Sequence, residues 1–395
     1  MFDMPGKFDE IVDRRGSNSY KWDSNSNPDV LPMWVADMDF KTAQPIIDAL
    51  AERVQHGIYG YAKVPDAYYQ AVISWFERRH NFYVEKDWMI YTTGVVPAVS
   101  AAVLALTNPG DKVIVQEPVY NCFFSSIRNN KCESVSNDLI YSDGIYSIDF
   151  DDLEEKAADP GTTLMLLCNP HNPAGRAWSK EELERVGEIC FRNNVFVVSD
   201  EIHCDLVHPG HTHIPFASLG LQYLENSVTC TAPSKSFNLA GLQVANIFAY
   251  DKEIRKLVDK AININEVCDI SPFAVEALIA AYTHPDSELW IDNLKKYLWG
   301  NYLMVKDFFS ENLPEFPILP LEATYLMWID CSVLNSSSEE LVKQMLDREK
   351  VWLNEGTIYG KAGEGFIRLN IACPKEVLQE GLIRIKNVLD AIVKQ

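Results

Sequence analysis

The stretch TLMLLCNPHNPAGRAWSKEELERVGEICFRNNVFVVSDEIH, residues 163–203, decides the fold. It opens with an apolar run of strand length, TLMLLC (163–168), and closes with a second, VFVVS (195–199). Between them KEELERVGEICFRN (180–193) has a helical pattern, with Ser179 as a plausible N-cap and Glu182 three residues on. Three further runs, KVIVQ (112–116), SVTCT (227–231) and NIFAY (246–250), also read as buried strands, and VVPAVSAAVLAL (95–106) reads as another helix. Strands alternating with helices predict an α/β fold: a large domain with a mostly parallel, doubly wound sheet covered on both faces.

Beyond about residue 290 the texture changes. An amphipathic helix, DNLKKYLWGNYLMVKDFFSENL, precedes PILPLEATYLMWIDCS and VWLNEGTIYGKAGEGFIRLNIACP, which read as strands and loops of a smaller α+β C-terminal domain. The first 45 residues are loop-like. The expected division is therefore an N-terminal arm (1–45) packing on the small domain or a partner, a large domain (46–288) and a small domain (289–395). No internal repeat or low-complexity tract interrupts this order.

Composition narrows the function. With 395 residues, 47% of them apolar, the chain can bury a sizeable interior. It has no uncharged apolar run of membrane-spanning length, and MFDMPGKFDEIVDRRG lacks the apolar core of an export signal. A formal charge of -21 argues against a nucleic-acid partner. Nine cysteines, at 122, 132, 168, 190, 204, 230, 268, 331 and 373, form no CxxC pair and fit reduced thiols of a cytoplasmic protein. His203, His208, His211 and His213 cluster near Cys204, but their spacing matches no tetrahedral metal pattern, so a polar loop is expected and no metal.

Four strand ends carry unusual polar groups: NPHNPAGR after TLMLLC, DEIH after VFVVS, APSK after SVTCT and EPVYN after KVIVQ. Singly each is weak. An aspartate closing a buried strand is often an N-cap, an Asn-Pro pair is usually a turn, and a lysine at a strand mouth is commonly solvated. Together they suggest one site, because ligands of doubly wound sheets bind beyond the C-terminal strand ends. Pyridoxal phosphate uses this set of groups. It needs a lysine amine for its aldehyde, a carboxylate on the ring nitrogen, a donor for the phenolate oxygen, an aromatic face and an anion site for the phosphate. Lys235, Asp200, Asn172 and Tyr120 supply the first four. In TTGVVPAVS the free N–H groups of Val95 and Val96 open a helix and face an anion.

NPHNPAG, SDEIH and SKSFNLAGLQ resemble the motifs of fold-type I pyridoxal-phosphate enzymes, the class I/II aminotransferase group, and the resemblance covers nearly the whole chain in order. MWVADMDF (33–40), IYGYA (58–62), DEIHCDL (200–206) and RLNIACP (368–374) resemble the cystathionine β-lyase/cysteine desulfhydrase branch, the MalY/PatB type. The resemblance implies a homodimer with shared active sites and a small amino-acid substrate. It implies Lys235 as the Schiff-base lysine and general base, Asp200 on the ring nitrogen, Asn172 on the phenolate and Tyr120 on the ring face. Tyr61 would reach the phosphate in the neighbouring subunit, where Thr231 and Ser234 are hydroxyl candidates. Arg368, with Ala36 beside it, would bind the substrate, its planar fork suiting the α-carboxylate.

Two positions depart from the wider aminotransferase pattern. His203 stands where many members have a tyrosine, and either tunes the phenolate or fills space. Gln243 stands where many have a phosphate-binding arginine, so the phosphate must rely on the helix N-terminus, hydroxyls and Tyr61. Both favour the lyase branch, with β-elimination from cystathionine or a cysteine-like thioether. An aminotransferase for neutral or aromatic amino acids, and a cofactor-binding regulatory protein, stay open. A nicotinamide enzyme does not, because GEG at 363–365 precedes a strand and lacks the GxGxxG form.

Overall fold

The computed structural model describes residues 8–264 and 269–394. Cys268 lies outside them. A seven-stranded sheet comprises β1 (Met89–Thr92), β2 (Lys112–Val115), β3 (Glu133–Ser136), β4 (Thr162–Cys168), β5 (Phe196–Asp200), β6 (Ser227–Thr231) and β7 (Ala245–Ala249). Their spatial order is β1-β7-β6-β5-β4-β2-β3. β7 runs antiparallel to both its neighbours and every other pairing in the sheet is parallel. The expected mostly parallel sheet is therefore present, and NIFAY is the strand that runs against it.

Eight helices matter below: α1 (Gln44–His56), α2 (Asp66–His80), α3 (Val95–Leu106), α4 (Lys180–Arg192), α5 (Lys252–Asn263), α6 (Pro272–Thr283), α7 (Pro285–Asn312) and α8 (Lys375–Val393). α4 begins in the capping box read from the sequence: Glu182 N–H donates to Ser179 Oγ at 3.1 Å, and Ser179 N–H donates to Glu182 Oε2 at 2.8 Å. This satisfies two amides the helix cannot pair internally.

The central strands are apolar throughout because both faces are covered. Val113, Val115, Leu164, Leu166 and Val198 meet the Ala98, Val99, Ala102 and Val103 stripe of α3. Their alternates Ile114, Met165, Leu167 and Val197 meet Leu183, Val186 and Ile189 of α4. Each such valine, leucine, isoleucine or methionine side chain contributes roughly 1.5–3 kcal/mol of burial. The cross-strand register sets Cys168, Asp200 and Cys230 side by side, so three consecutive loops leave the sheet at one edge.

A second, antiparallel sheet of three strands, β8 (Leu326–Asp330), β9 (Asn354–Glu355) and β10 (Phe366–Asn370), has order β8-β10-β9. Arg368 lies in its middle strand, opposite Trp328 on one side and Asn354 on the other. The long helix α7 starts at Pro285 and crosses the expected 288/289 border as one continuous helix. Ahead of α1, Phe8 packs on Trp290 and Tyr297, and Arg14 and Lys21 pair with Asp37 and Asp39. The loop at 356–365 closes tightly: a Cβ on Gly356 would meet the Gly363 carbonyl oxygen at 1.8 Å, a Cβ on Gly363 would meet the Gly356 carbonyl oxygen at 2.1 Å, and Gly365 has φ 84°, which explains the glycines of the rejected GEG motif.

Candidate active site

Lys235 follows β6 in a turn that is tied to the N-terminal segment. Asn238, with φ 58°, receives the Met38 N–H on Oδ1 and donates from Nδ2 to the Met38 and Phe40 carbonyls. This clamp brings MWVADMDF across the sheet edge, where Lys235 Nζ donates to the Ala36 carbonyl at 2.6 Å. Tyr325 Oη donates to the same oxygen at 2.9 Å. Enclosure of the amine, and then the Arg368 guanidinium, bring its pKa down to about 8.

Asp200 ends β5 and faces the same pocket, which Lys235 and Asp200 line together with Ala36, Tyr120, Asn172 and His203. The carboxylate is 4% exposed, and its Oδ1 accepts the Ile202 N–H at 3.1 Å. Burial raises its pKa to about 7 against the opposing pull of that N–H and of Lys235. A buried carboxylate in this condition is stabilised by any cationic N–H brought against it. Burial, then Lys235 and Arg368, hold His203 down at about 3, so its imidazole is neutral at pH 7.

Asn172 and Arg368 form the pocket's second wall. Arg368 Nη1 donates to Asn172 Oδ1 at 3.1 Å and Nη2 donates to the Trp34 carbonyl at 2.8 Å. Since arginine only donates, the Asn172 oxygen must face it, which leaves the amide N–H₂ to donate elsewhere. The guanidinium also stacks 4.8 Å from the Tyr359 ring centroid, and its Nε is buried without a partner. Val95 and Val96, the first residues of α3, line the remaining side, with Cys168 and Ile202.

The structure brings Lys235, Asp200, Asn172, Tyr120, His203, Val95, Val96 and Ala36 into one pocket, with Arg368 bonded to its wall. It does not bring in Tyr61, which is 95% exposed. Thr231 and Ser234 flank the lysine turn without lining the pocket, though the Thr231 hydroxyl is buried and unpartnered. Gln243 has a left-handed backbone, and its carbonyl accepts Tyr91 Oη at 3.2 Å. The four histidines diverge: His208 bonds the Thr324 carbonyl at 2.7 Å, His213 bonds Glu201 at 3.0 Å, His203 enters the pocket and His211 is largely exposed.

These groups fit pyridoxal phosphate. The carboxylate that lacks a cation matches the ring nitrogen, the low-pKa amine matches the aldehyde, and the α3 amides match an anion. The Asn172 amide N–H₂, not engaged by Arg368, would serve the phenolate oxygen. Sequence reading missed Tyr325, the Trp34 carbonyl and Asn354, which donates to Trp34 O at 3.0 Å and to Tyr359 Oη at 2.9 Å. A backbone oxygen acts whatever its side chain, so no sequence signal marks it.

A lysine and a buried aspartate facing one pocket at the edge of such a sheet define the pyridoxal-phosphate proteins of the fold-type I class. The chain belongs to the family described as aminotransferase class I and II, which matches residues 16–385. It is 45% identical over 386 residues to the cystathionine beta-lyase PatB of Bacillus subtilis, covering 97% of this chain and 99% of that one. It is 32% identical to protein MalY of Escherichia coli, over 99% of this chain and all of that one. The pyridoxal 5'-phosphate-containing structure of cystalysin from Treponema denticola superposes with a TM-score of 0.94 at 35% identity, over 97% of this chain and 98% of that one.

Proposed function

We propose that this chain is a pyridoxal-phosphate-dependent carbon–sulfur β-lyase. It cleaves cystathionine or a cysteine-like thioether to a thiol or sulfide, pyruvate and ammonia. The observation that carries this is the pocket in which the Lys235 amine and the Asp200 carboxylate meet beside Arg368. The naming of full-length relatives as cystathionine β-lyases supports the choice of reaction.

The cofactor, when bound, supplies an electron sink that makes the substrate α-proton removable. Asp200 would hold a proton on the ring nitrogen, and its burial would make that pairing strong. Arg368 binds the substrate carboxylate, with its unpartnered Nε available as a donor. Lys235 Nζ, neutral in an appreciable fraction near pH 8, takes the α-proton. Neutral His203 adds no charge to the pocket wall. Cys168 and Ile202 give the rest of the cofactor pocket an apolar lining.

The active unit is a homodimer in the cytoplasm. Ile58, Tyr59 and Tyr61 are exposed, and a groove of about 290 Å³ lined by Pro97, Ala101, Leu104 and Ile262 adjoins α3. A second copy covering this face would bring its Tyr61 to the phosphate end of the pocket. Thr231 and Ser234 serve that same end. The described cysteines are all free, and no described helix is long and apolar enough to cross a membrane. The arm (1–45), large unit (46–288) and small unit (289–395) form the proposed division, with helix α7 running continuously across the border between the last two.

The test is product analysis with cystathionine as sole substrate. Pyruvate released without an added keto acid supports the proposal. Turnover only when a keto acid is supplied overturns it in favour of an aminotransferase.

A further inference from the structure

Behind the pocket lies a buried polar network that the reaction itself does not use. Asp205 is 3% exposed and has three donors: Ser236 Oγ at 2.7 Å on Oδ2, with Trp75 Nε1 at 3.0 Å and His80 Nε2 at 2.8 Å on Oδ1. The His80 ring meets His213 edge-to-face, with centroids 5.3 Å apart. His213 Nε2 bonds Glu201 Oε2 at 3.0 Å, and Glu201 Oε1 accepts Ser199 Oγ and Phe216 N–H, each at 2.9 Å. Ser236 is the chain neighbour of Lys235, and both Ser199 and Glu201 are chain neighbours of Asp200.

Accepting the cofactor reading above, we propose that Asp205 is a positioning residue that holds the lysine turn and the aspartate strand end in one rigid frame. Its carboxylate anchors the lysine turn through Ser236. On its other oxygen it orients His80 against His213, whose partner Glu201 flanks Asp200 on one side and accepts from Ser199, which flanks it on the other. Burial opposes ionisation of Asp205, but the bonds from His80, Ser236 and Trp75 prevail and draw its pKa down to about 2. The bonds from Ser236 and His80, at 2.7 and 2.8 Å, have the lengths of hydrogen bonds to a carboxylate. Ser236 and Glu201 are each 0% exposed, so no water competes at either end. His80, Cys204 and Asp205 do place ligand atoms within 4.8 Å of one another, a spacing a metal could use. Three donors already occupy Asp205, and Arg79 and Lys295 line the adjoining cavity, which favours a hydrogen-bond frame over a cation site.

The test compares Asp205→Asn and Ser236→Ala with the parent holoenzyme at saturating pyridoxal phosphate. The readouts are kcat, KM and the induced circular dichroism of the cofactor's visible band. Displacing reacting groups by a fraction of an ångström is expected to cost about tenfold or more in kcat. KM should change less than about threefold, since Arg368 is untouched, and the dichroic band should weaken in both variants. A lower melting temperature with parental kcat and band overturns the proposal. If Asp205→Asn does not fold, Ser236→Ala decides alone, because it removes one hydroxyl and the link to the lysine turn. The parent is the control for the underlying reading: a parent without a visible cofactor band refutes the cofactor assignment, whereas a coloured, active parent matched by both variants refutes only the frame.

Discussion

Replacing Asp200 with asparagine keeps the side chain's size and its bond from Ile202 N–H but removes the charge. The consequence can be sized. Burial lifts the carboxyl from 3.8 to about 7, so holding its anion at neutral pH costs roughly 4 kcal/mol. A protonated ring nitrogen is the group that offsets this cost, and the same coupling acts in reverse to keep the ring protonated. Without the anion the ring nitrogen loses its proton, and stabilisation of charge developing at the substrate α-carbon weakens by a comparable amount. A barrier raised by roughly 4 kcal/mol corresponds to about a 10³-fold fall in kcat. Pyruvate release from cystathionine measures it, with cofactor occupancy checked by absorbance. A fall smaller than tenfold at full occupancy would refute the reasoning.

Other consequences follow from the same geometry. In cofactor-free protein, uptake of pyridoxal phosphate should accelerate with pH up to about 8 and then level off, because Lys235 reacts as the neutral amine and its pKa lies near 8. Stopped-flow absorbance reads this, and Arg368→Leu should move the plateau to higher pH by removing a cation that depresses the amine. Arg368→Lys cannot bond both Asn172 and Trp34 while gripping a carboxylate; KM should rise about 10–100-fold, from the roughly 1.5–3 kcal/mol of a charged hydrogen bond, with a smaller change in kcat. Gly356→Ala drives a Cβ into the Gly363 and Phe366 carbonyl oxygens and should destabilise the chain by about 2 kcal/mol or more, seen as a drop in melting temperature. Tyr61→Phe should weaken cofactor retention, measured by dialysis, although Tyr61 is solvent-exposed in the isolated chain.

The strands that carry the site were legible because burial on both faces makes them uniformly apolar. TLMLLC and VFVVS could be read without knowing their neighbours, and their polar endings marked the sheet edge. The edge strands β1 and β3 were not legible. Glu133–Ser136 is mostly polar and borders the sheet with one side unpaired, so nothing in its composition marks a strand. α8 escaped notice because Lys375–Val393 follows a strand-and-loop segment with only Pro374 to announce it. Within the site, Lys235, Asp200 and Asn172 stood out as polar residues at strand ends. Trp34 and Ala36 act through carbonyl oxygens, and Tyr325 becomes a donor only when folding brings residue 36 to it. Asp205 and Ser236 adjoin the right motifs, yet their pairing across 31 positions is a product of the tertiary fold.

The most direct measurement is reduction of the purified, cofactor-loaded protein with borohydride, followed by peptide mapping by mass spectrometry. A pyridoxyl adduct on the peptide containing Lys235, absent from Lys235→Ala, is the expected result. An adduct on a different lysine, or protein that binds the cofactor and releases pyruvate equally well without Lys235, would contradict the assignment of this pocket as the active site.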